Sequence, residues 1–328
     1  MKTLITLINP DLRDLIFSDE MLERLSRISE VHWLTDYDKL GDCIGEFDAC
    51  ISSWGSPRLT AEILGKADKL KFVGHAAGTV LPYMDEEIFE KDITVVNAND
   101  ALSRATAEGA VAMMAAGAYR LPRYDRMLRS GGWANNDVEW VPGLSHQTIG
   151  LIGYGDISKE VIRLLAPYHP EILLYSDHCT EEEARKLGVK LCGLEELLSC
   201  ANIVSLHNTL TRKTKGMIGR RELEMMKDGA LLINTARAPI VDEAALLEVL
   251  QTGKINVILD VYQQEPLGMD HPLRQMPNVW MFPHVAAYSG YWKKRLGLCV
   301  VEKLEQYLQG EEISGRITLE KYRRMTPV

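Results

Sequence analysis

The 328-residue sequence lacks several features that would point directly to a function. Its six cysteines are scattered, with no CxxC pair and no His-rich spacing, so it predicts neither a zinc site nor a thioredoxin-like motif, and no metal is expected. Basic residues are not in excess: the formal net charge of −9 argues against a broad nucleic-acid or anionic-membrane footprint. No apolar run approaches the roughly 20 residues needed to span a bilayer.

The first residues also lack the pattern of a secretory signal. MKTLITLINPDL has one Lys and a short apolar run, which Asn9, Pro10 and Asp11 end too early. We therefore predict that this segment is the first strand. Unpaired cysteines and the absence of a signal favour a cytoplasmic protein.

What the chain does contain is a repeated alternation of strand-like and helix-like segments. Its length favours two domains. One series of β-like runs extends from TLITLIN to ITVVNAN, and a second from TIGLIGYG to VWMFPH. Such alternation predicts parallel sheets. The fold class is therefore α/β, with two doubly wound, Rossmann-like domains and a cleft between them. The predicted domains are 1–103 plus 293–328, and an inserted 104–292.

A glycine-rich turn follows the first strand of the second series. In QTIGLIGYGDISKEVIRLL, Gly153 and Gly155 match a dinucleotide-binding loop, and Ser158 takes the third glycine position, where it should loosen the helix packing slightly. Alone this signal is weak. Asp177, about 20 residues further on, is expected to bind the adenosine ribose, unless it is an ordinary exposed residue at a strand end. Its carboxylate, with no Arg or Lys at 178 or 179, favours NAD(H) over NADP(H).

Three chemically useful side chains follow the later predicted strands. Arg237 follows ALLINTA, Glu265 follows NVILDVY and His284 follows NVWMFP. A guanidinium can bind a carboxylate and polarise the adjacent carbonyl. If Glu265 meets His284, the carboxylate raises the histidine pKa from its reference near ~6.5, so the imidazolium can protonate a developing alkoxide. Each residue alone could be structural, but behind a cofactor loop the three predict ketone reduction.

These motifs resemble the D-isomer-specific 2-hydroxyacid dehydrogenases over nearly the whole chain. The resemblance is strongest in NANDALSRATAEG, TLTRKTKGMIGRRELEMMKDGALLINTARAPIVDEAALLEVLQTGKI, LDVYQQEPL and PNVWMFPHVAA. The chain departs from the family pattern at Ala238, Pro239 and Ala287, where the family usually has Gly at the first and last of these positions. The segment from Tyr119 to Leu144 resembles the family's dimer arm, which implies a homodimer.

The resemblance also implies roles for individual residues. Arg237 would bind the substrate, His284 would be the acid/base and Glu265 would tune it. The implied substrate residues are Trp54, Ala77, Gly78, Thr79 and Arg237. The implied cofactor contacts are Thr106, Gly153, Gly155, Asp156, Ile157, Asp177, His207, Thr214, Thr235, Ala236, Asp260 and His284.

We therefore expect an NAD-dependent enzyme that interconverts a 2-oxo acid and a D-2-hydroxy acid. Residues 104–292 would bind NAD and the terminal segments would bind the substrate. Two alternatives remain on the same scaffold. One is an NADH-responsive regulatory module without turnover, and the other is a dehydrogenase of the phosphite type.

Overall fold

The computed structural model describes residues 1–133 and 141–325, and it divides into two compact units. The first unit comprises Met1–Leu102 and Tyr288–Val328, and the second comprises Ser103–Ala287. The sequence predicts residues 288–292 in the inserted domain, whereas the structure groups them with the first unit. The reason is packing: Trp292 lies against the core of that unit, and the Tyr288 ring contacts Lys293.

The first unit is built on a five-stranded parallel sheet in the order β2-β1-β3-β4-β5. The strands are β1 (Lys2–Ile5), β2 (Glu30–Trp33), β3 (Ala49–Ser52), β4 (Phe72–His75) and β5 (Thr94–Asn97). The last three are buried along their whole length, as expected for strands covered on both faces. The chain reverses its direction of winding between β1 and β3.

The second unit contains a seven-stranded parallel sheet in the order β12-β11-β10-β9-β6-β7-β8. Its strands are β6 (Thr148–Ile152), β7 (Glu171–Tyr175), β8 (Lys190–Leu191), β9 (Ile203–Leu206), β10 (Leu231–Asn234), β11 (Asn256–Leu259) and β12 (Val279–Met281). Winding reverses between β6 and β9, which is where open α/β sheets bind ligands. The predicted fold class of two parallel-sheet α/β domains is confirmed.

Helices connect the strands and cover the sheets. They are α1 (Pro10–Ile16), α2 (Asp19–Ile28), α3 (Leu40–Cys43), α4 (Ala61–Gly65), α5 (Asn99–Ala118), α6 (Leu121–Arg129), α7 (Asp156–Leu165), α8 (Glu181–Leu187), α9 (Leu194–Cys200), α10 (Arg220–Met225), α11 (Glu243–Gln251), α12 (Gly290–Gln309) and α13 (Leu319–Arg323). Several begin at side chains that cap free backbone N–H groups, such as Ser18 before α2 and Thr180, in a capping box with Glu183, before α8. No helix within the described ranges is long and apolar enough to cross a membrane.

Each sheet separates two apolar clusters, because neighbouring residues of a strand point to opposite faces. In the first unit, Ile5 and Ile51 belong to one cluster, and Leu4 and Cys50 belong to the other. Helix α12 contributes Leu296, Val300 and Leu304 to the first of these clusters, which explains why the C-terminal segment is part of that unit.

Candidate active site

The three predicted catalytic residues follow three adjacent strands of the second sheet. Arg237 follows β10, Glu265 follows β11 and His284 follows β12, and these strands pair in parallel. Parallel strands end at the same edge, so the sheet gathers residues that are far apart in sequence. The residues that follow β9, β6 and β7 carry the predicted cofactor contacts along the same edge.

His284 and Glu265 form a direct pair. The His284 Nδ1 and Glu265 Oε2 atoms are 2.7 Å apart, and the other carboxylate oxygen, Oε1, accepts a hydrogen bond from the Tyr262 backbone N–H at 3.0 Å. Both side chains remain partly exposed, at 51% for His284 and 38% for Glu265, so solvent and small molecules can reach the imidazole. With Nδ1 engaged by the carboxylate, Nε2 is the ring nitrogen that is left for another partner.

The Tyr262 hydroxyl joins the ends of the strands that carry this pair. Its single O–H is shared between two carbonyl oxygens, those of Leu259 at 3.1 Å, the last residue of β11, and Phe282 at 2.9 Å, directly after β12. Burial raises the pKa of Tyr262 to about 12, so the phenol stays protonated as a donor at neutral pH. The ring therefore fixes the spacing of the Glu265 and His284 loops.

Asp260 holds the segment that follows His284. This side chain is 1% exposed, and its two oxygens accept hydrogen bonds from the backbone N–H groups of Val285 at 2.7 Å and Ala286 at 2.9 Å. Burial is the largest influence and raises the pKa of the Asp260 carboxyl, while the two backbone donors oppose that shift. His284 itself has φ +55°, a left-handed conformation that is uncommon outside glycine, so its backbone needs such support.

Arg237 is half-buried beside this pair. Burial lowers the pKa of its guanidinium, and the charge of Glu265 opposes that effect. An arginine nevertheless stays charged at neutral pH. Nη1 donates to the Ala236 carbonyl at 2.8 Å, and Asn234 bridges this turn by bonding both the Arg237 carbonyl and the Ala236 N–H at 3.0 Å. A held, partly desolvated guanidinium attracts an anion more strongly than an exposed one.

The glycine-rich turn has the geometry of a phosphate-binding loop. Gly153 has φ +104°, and a Cβ there would lie 2.6 Å from the Asn208 backbone nitrogen, so only glycine fits. Gly155, at the start of α7, has open space around it and provides no side-chain cap, which leaves the first N–H groups of the helix for an anion. The Ser158 hydroxyl, which the sequence predicted to loosen this packing, donates to the Gly153 carbonyl at 2.7 Å.

Several buried polar atoms near this turn have no hydrogen-bond partner within the described residues. They are His207 Nε2, Asn208 Oδ1 and Thr235 Oγ1, which follow β9 and β10. Burial lowers the pKa of His207 to about 4, so its ring is neutral. Buried polar groups are normally satisfied. These orphaned atoms, together with the glycine loop, fit a dinucleotide that supplies the missing partners.

Asp177 follows β7, but its surroundings differ from the expectation. Lys213, in the loop after β9, donates a hydrogen bond to Asp177, which holds the pKa of this exposed carboxyl below its usual value. The sequence predicts no cation at this position, because Lys213 lies 36 residues after Asp177 and only the fold brings the two together. Thr214 accepts from the Thr211 N–H at 2.8 Å and donates to the Thr209 carbonyl at 2.7 Å, so it closes the loop that presents Lys213.

In the first unit, the predicted substrate loop follows β4. The Ala77 N–H donates to the His75 carbonyl at 2.7 Å, so this amide does not offer itself to a carboxylate. Asn97 Nδ2 donates to the Gly78 carbonyl at 2.7 Å, which fixes the turn. Trp54 follows β3 and is partly buried against the core of that unit.

Comparison with known proteins assigns the second unit. The model of the D-isomer specific 2-hydroxyacid dehydrogenase, NAD binding domain, matches residues 111–286. The chain belongs to this dehydrogenase family. The family predicted from the sequence motifs is thereby confirmed.

Individual relatives of this dehydrogenase family agree with that assignment. The chain is 34% identical over 281 residues to a glyoxylate reductase of Korarchaeum cryptofilum, covering 84% of this chain and 82% of that protein. It is 33% identical to a D-3-phosphoglycerate dehydrogenase of Archaeoglobus fulgidus, covering 80% of this chain and 50% of the relative. The chain thus spans about half the length of the curated D-3-phosphoglycerate dehydrogenases that it matches.

A solved structure shows the same fold. A phosphoglycerate oxidoreductase from Rhizobium etli has a TM-score of 0.84, with 98% of this chain and 99% of that chain covered, at 24% identity. At 24% identity, this similarity shows that the two chains share a fold and nothing more.

The family motifs point to the predicted catalytic residues but not to all of the residues that hold them in place. Motifs identify Arg237, Glu265 and His284, which the sheet brings to one edge. They do not identify Tyr262 as the link between two loops, or Lys213 as the partner of Asp177. The RKT and VYQ segments that contain Lys213 and Tyr262 carry no local signal of either role, because each contact joins loops that follow different strands.

Proposed function

We propose that this protein is an NAD(H)-dependent oxidoreductase that interconverts a 2-oxo acid and a D-2-hydroxy acid. The 2.7 Å contact between His284 and Glu265, at the strand edge that also carries Arg237, is the observation that supports it most. The proposed acid/base group then lies at the same strand edge as a guanidinium that could bind an anion, in a unit that matches the NAD binding domain of the family. Reduction of a 2-oxo acid needs both groups.

In the proposed reaction, the bound nicotinamide cofactor supplies the hydride. Arg237 binds the substrate carboxylate and polarises the neighbouring carbonyl oxygen. His284 donates the proton on Nε2 to that oxygen, and Glu265 stabilises the imidazolium that must be present beforehand. In the oxidative direction, the same nitrogen accepts the hydroxyl proton. The residues proposed to hold the cofactor are Thr106, Gly153, Gly155, Asp156, Ile157, Asp177, His207, Thr214, Thr235, Ala236 and Asp260.

Two further features of the proposal concern assembly and location. Leu121, Leu128 and Trp133 are exposed large apolar side chains on or just after α6, which supports a homodimer through this region. The predicted dimer arm continues through residues 134–140, which lie outside the described residues. All six cysteines are described as free thiols, which supports a reducing, cytoplasmic location.

The test is oxidation of NADH in the presence of a panel of 2-oxo acids, from glyoxylate and pyruvate to hydroxypyruvate and branched-chain and aromatic acids. The wild type is expected to oxidise NADH with at least one of them. His284→Ala is expected to lower kcat by on the order of 100-fold or more, the usual worth of a general acid. NADH affinity, measured by fluorescence, should change little.

A second histidine–glutamate pair provides the control. His271 Nε2 lies 3.3 Å from Glu243 Oε1 in the same unit, and neither residue belongs to the proposed site. His271→Ala should therefore retain turnover. Full turnover in His284→Ala would remove the proposed acid. Tight NADH binding without turnover of any acid would contradict the enzyme proposal and leave a binding role.

A further inference from the structure

Lys293 is a buried lysine in the first turn of α12. It is 6% exposed, and within residues 1–133 and 141–325 it makes no ion pair or hydrogen bond to a carboxylate. The adjacent Lys294 is exposed. Buried lysines normally have a partner, because taking an ammonium out of water without one costs free energy. Burial here lowers the pKa of Lys293 to about 8, and no neighbouring charge contributes to that shift.

The surroundings of the ammonium are aromatic. Nζ lies 4.0 Å from the centre of the Trp54 ring and 4.3 Å from that of Tyr288. Two ring faces attract a cation and make its burial tolerable. They do not accept the three N–H donors of an ammonium as oxygen atoms would. Tyr288 is 65% exposed, so one ring of this aromatic cage lies at the protein surface.

The cage lies where a ligand of the first unit is expected. Trp54 follows β3, next to the reversal of winding between β1 and β3, and open α/β sheets bind ligands at this edge. A positive side chain kept in place by two rings, without an acidic partner, is arranged to receive an oxyanion. A lysine that already has an acidic partner, such as Lys303 with Asp100 at 2.8 Å, is not arranged to receive an oxyanion.

We propose that Lys293, Trp54 and Tyr288 form an oxyanion-binding subsite that takes a second acidic group, carboxylate or phosphate, of the substrate. This inference rests on the proposed function, and it narrows the substrate class to 2-oxo acids with an additional anionic group. The ammonium donates hydrogen bonds to the oxyanion, and the rings hold it in place and exclude water from one side. Glyoxylate and pyruvate, which have one acidic group, would leave Lys293 without a partner.

The first experiment measures anion binding without turnover. Thermal unfolding is followed at pH 7 in inorganic phosphate and in chloride at equal ionic strength. Phosphate should raise the Tm of the wild type and of the control Lys294→Met, because an anion that binds only the folded state stabilises it. The rise in Tm should be smaller for Lys293→Met. Lys293→Gln provides a second neutral side chain. An equal rise in all four proteins would overturn the subsite.

The second experiment measures substrate selectivity. The ratio of kcat/KM for oxaloacetate over pyruvate, and for phosphohydroxypyruvate over hydroxypyruvate, is compared in the same proteins. Lys293→Met should lower the ratio by on the order of 10- to 100-fold, the worth of a charged hydrogen bond, for whichever pair carries the preferred group. The two pairs distinguish carboxylate from phosphate. Unchanged ratios would refute the inference.

The two experiments separate the two proposals. If no 2-oxo acid is reduced by the wild type, the proposed function fails, and the dependence of the phosphate effect on Lys293 still decides the subsite. If turnover is present but neither the Tm difference nor the selectivity depends on Lys293, the subsite fails and the proposed function stands.

Discussion

Gly109→Ala should impair catalysis more than folding. Gly109 lies in α5, and a Cβ at this position would be 2.1 Å from the Ala286 carbonyl oxygen and 2.8 Å from its carbonyl carbon. Ordinary contacts begin at 3.4 Å, so the helix and the 284–287 segment must separate by more than an ångström. Because the obstacle is backbone, it cannot be relieved by a change of rotamer. The displaced residue is also one of the two that Asp260 holds, two positions after His284.

The magnitudes favour a specific loss of activity. Overpacking lowers the free energy of unfolding by about 1–3 kcal/mol. Replacing a glycine by alanine inside a helix raises it by about 1 kcal/mol. The net destabilisation is then roughly 0–2 kcal/mol, or a few degrees in Tm for a domain of this size. A displacement of about 1 Å at a catalytic group costs on the order of 100-fold in rate. The test is therefore to measure both kcat and Tm of Gly109→Ala, and kcat should fall far more than the small change in Tm would explain.

The same helix offers a control. At Gly117, a Cβ would meet only side chains, with Leu231 Cδ2 nearest at 2.4 Å. Gly117→Ala should lower the Tm but keep most of the turnover with the best substrate of the panel at saturating NADH. If Gly109→Ala turns over at the wild-type rate, or loses no more activity than Gly117→Ala, the placement of His284 by this contact is refuted.

Three other predictions concern the cofactor and pH. Gly153→Ala should lower NADH affinity by at least about tenfold, since it forces a non-glycine residue to φ +104° against the Asn208 backbone; calorimetry giving a wild-type Kd would contradict this. Asp177→Ala should leave Lys213 able to bind a 2′-phosphate. The ratio of kcat/KM for NADPH over that for NADH should then rise by about tenfold or more. The double variant Asp177→Ala/Lys213→Met should lose this rise. Burial lowers the pKa of Lys293 in the folded protein to about 8 from its ordinary value of 10.5, so protonation of Lys293 opposes folding below pH 8, and this penalty disappears between pH 8 and 10.5. Lys293→Met should therefore have a larger free energy of unfolding than the wild type at pH 7. In denaturant unfolding, this difference should shrink as the pH rises from 8 to 10.5. A difference that stays constant over this range would contradict the prediction.

Local sequence was sufficient to predict most of the secondary structure that positions the site. Strands such as β9 and β10 are mainly apolar and buried along their whole length, as expected for strands covered on both faces. Strand β8, by contrast, has only two residues, Lys190–Leu191, and so has no period that the sequence could reveal. The Ala- and Met-rich segment forms α5, as its composition favours, and Pro122 lies in the first turn of α6, where a proline is tolerated.

By itself, the sequence determined the family, the parallel α/β class and the three residues that carry the proposed chemistry. All three can be predicted from local patterns: the composition, the hydrophobic period and the short motifs of segments a few tens of residues long. Only the tertiary structure decided what those residues contact: Tyr262 between two loops, Lys213 on Asp177 and Lys293 between Trp54 and Tyr288. Such contacts join segments that are distant along the chain, and they depend on strand order and side-chain direction, which no local pattern specifies.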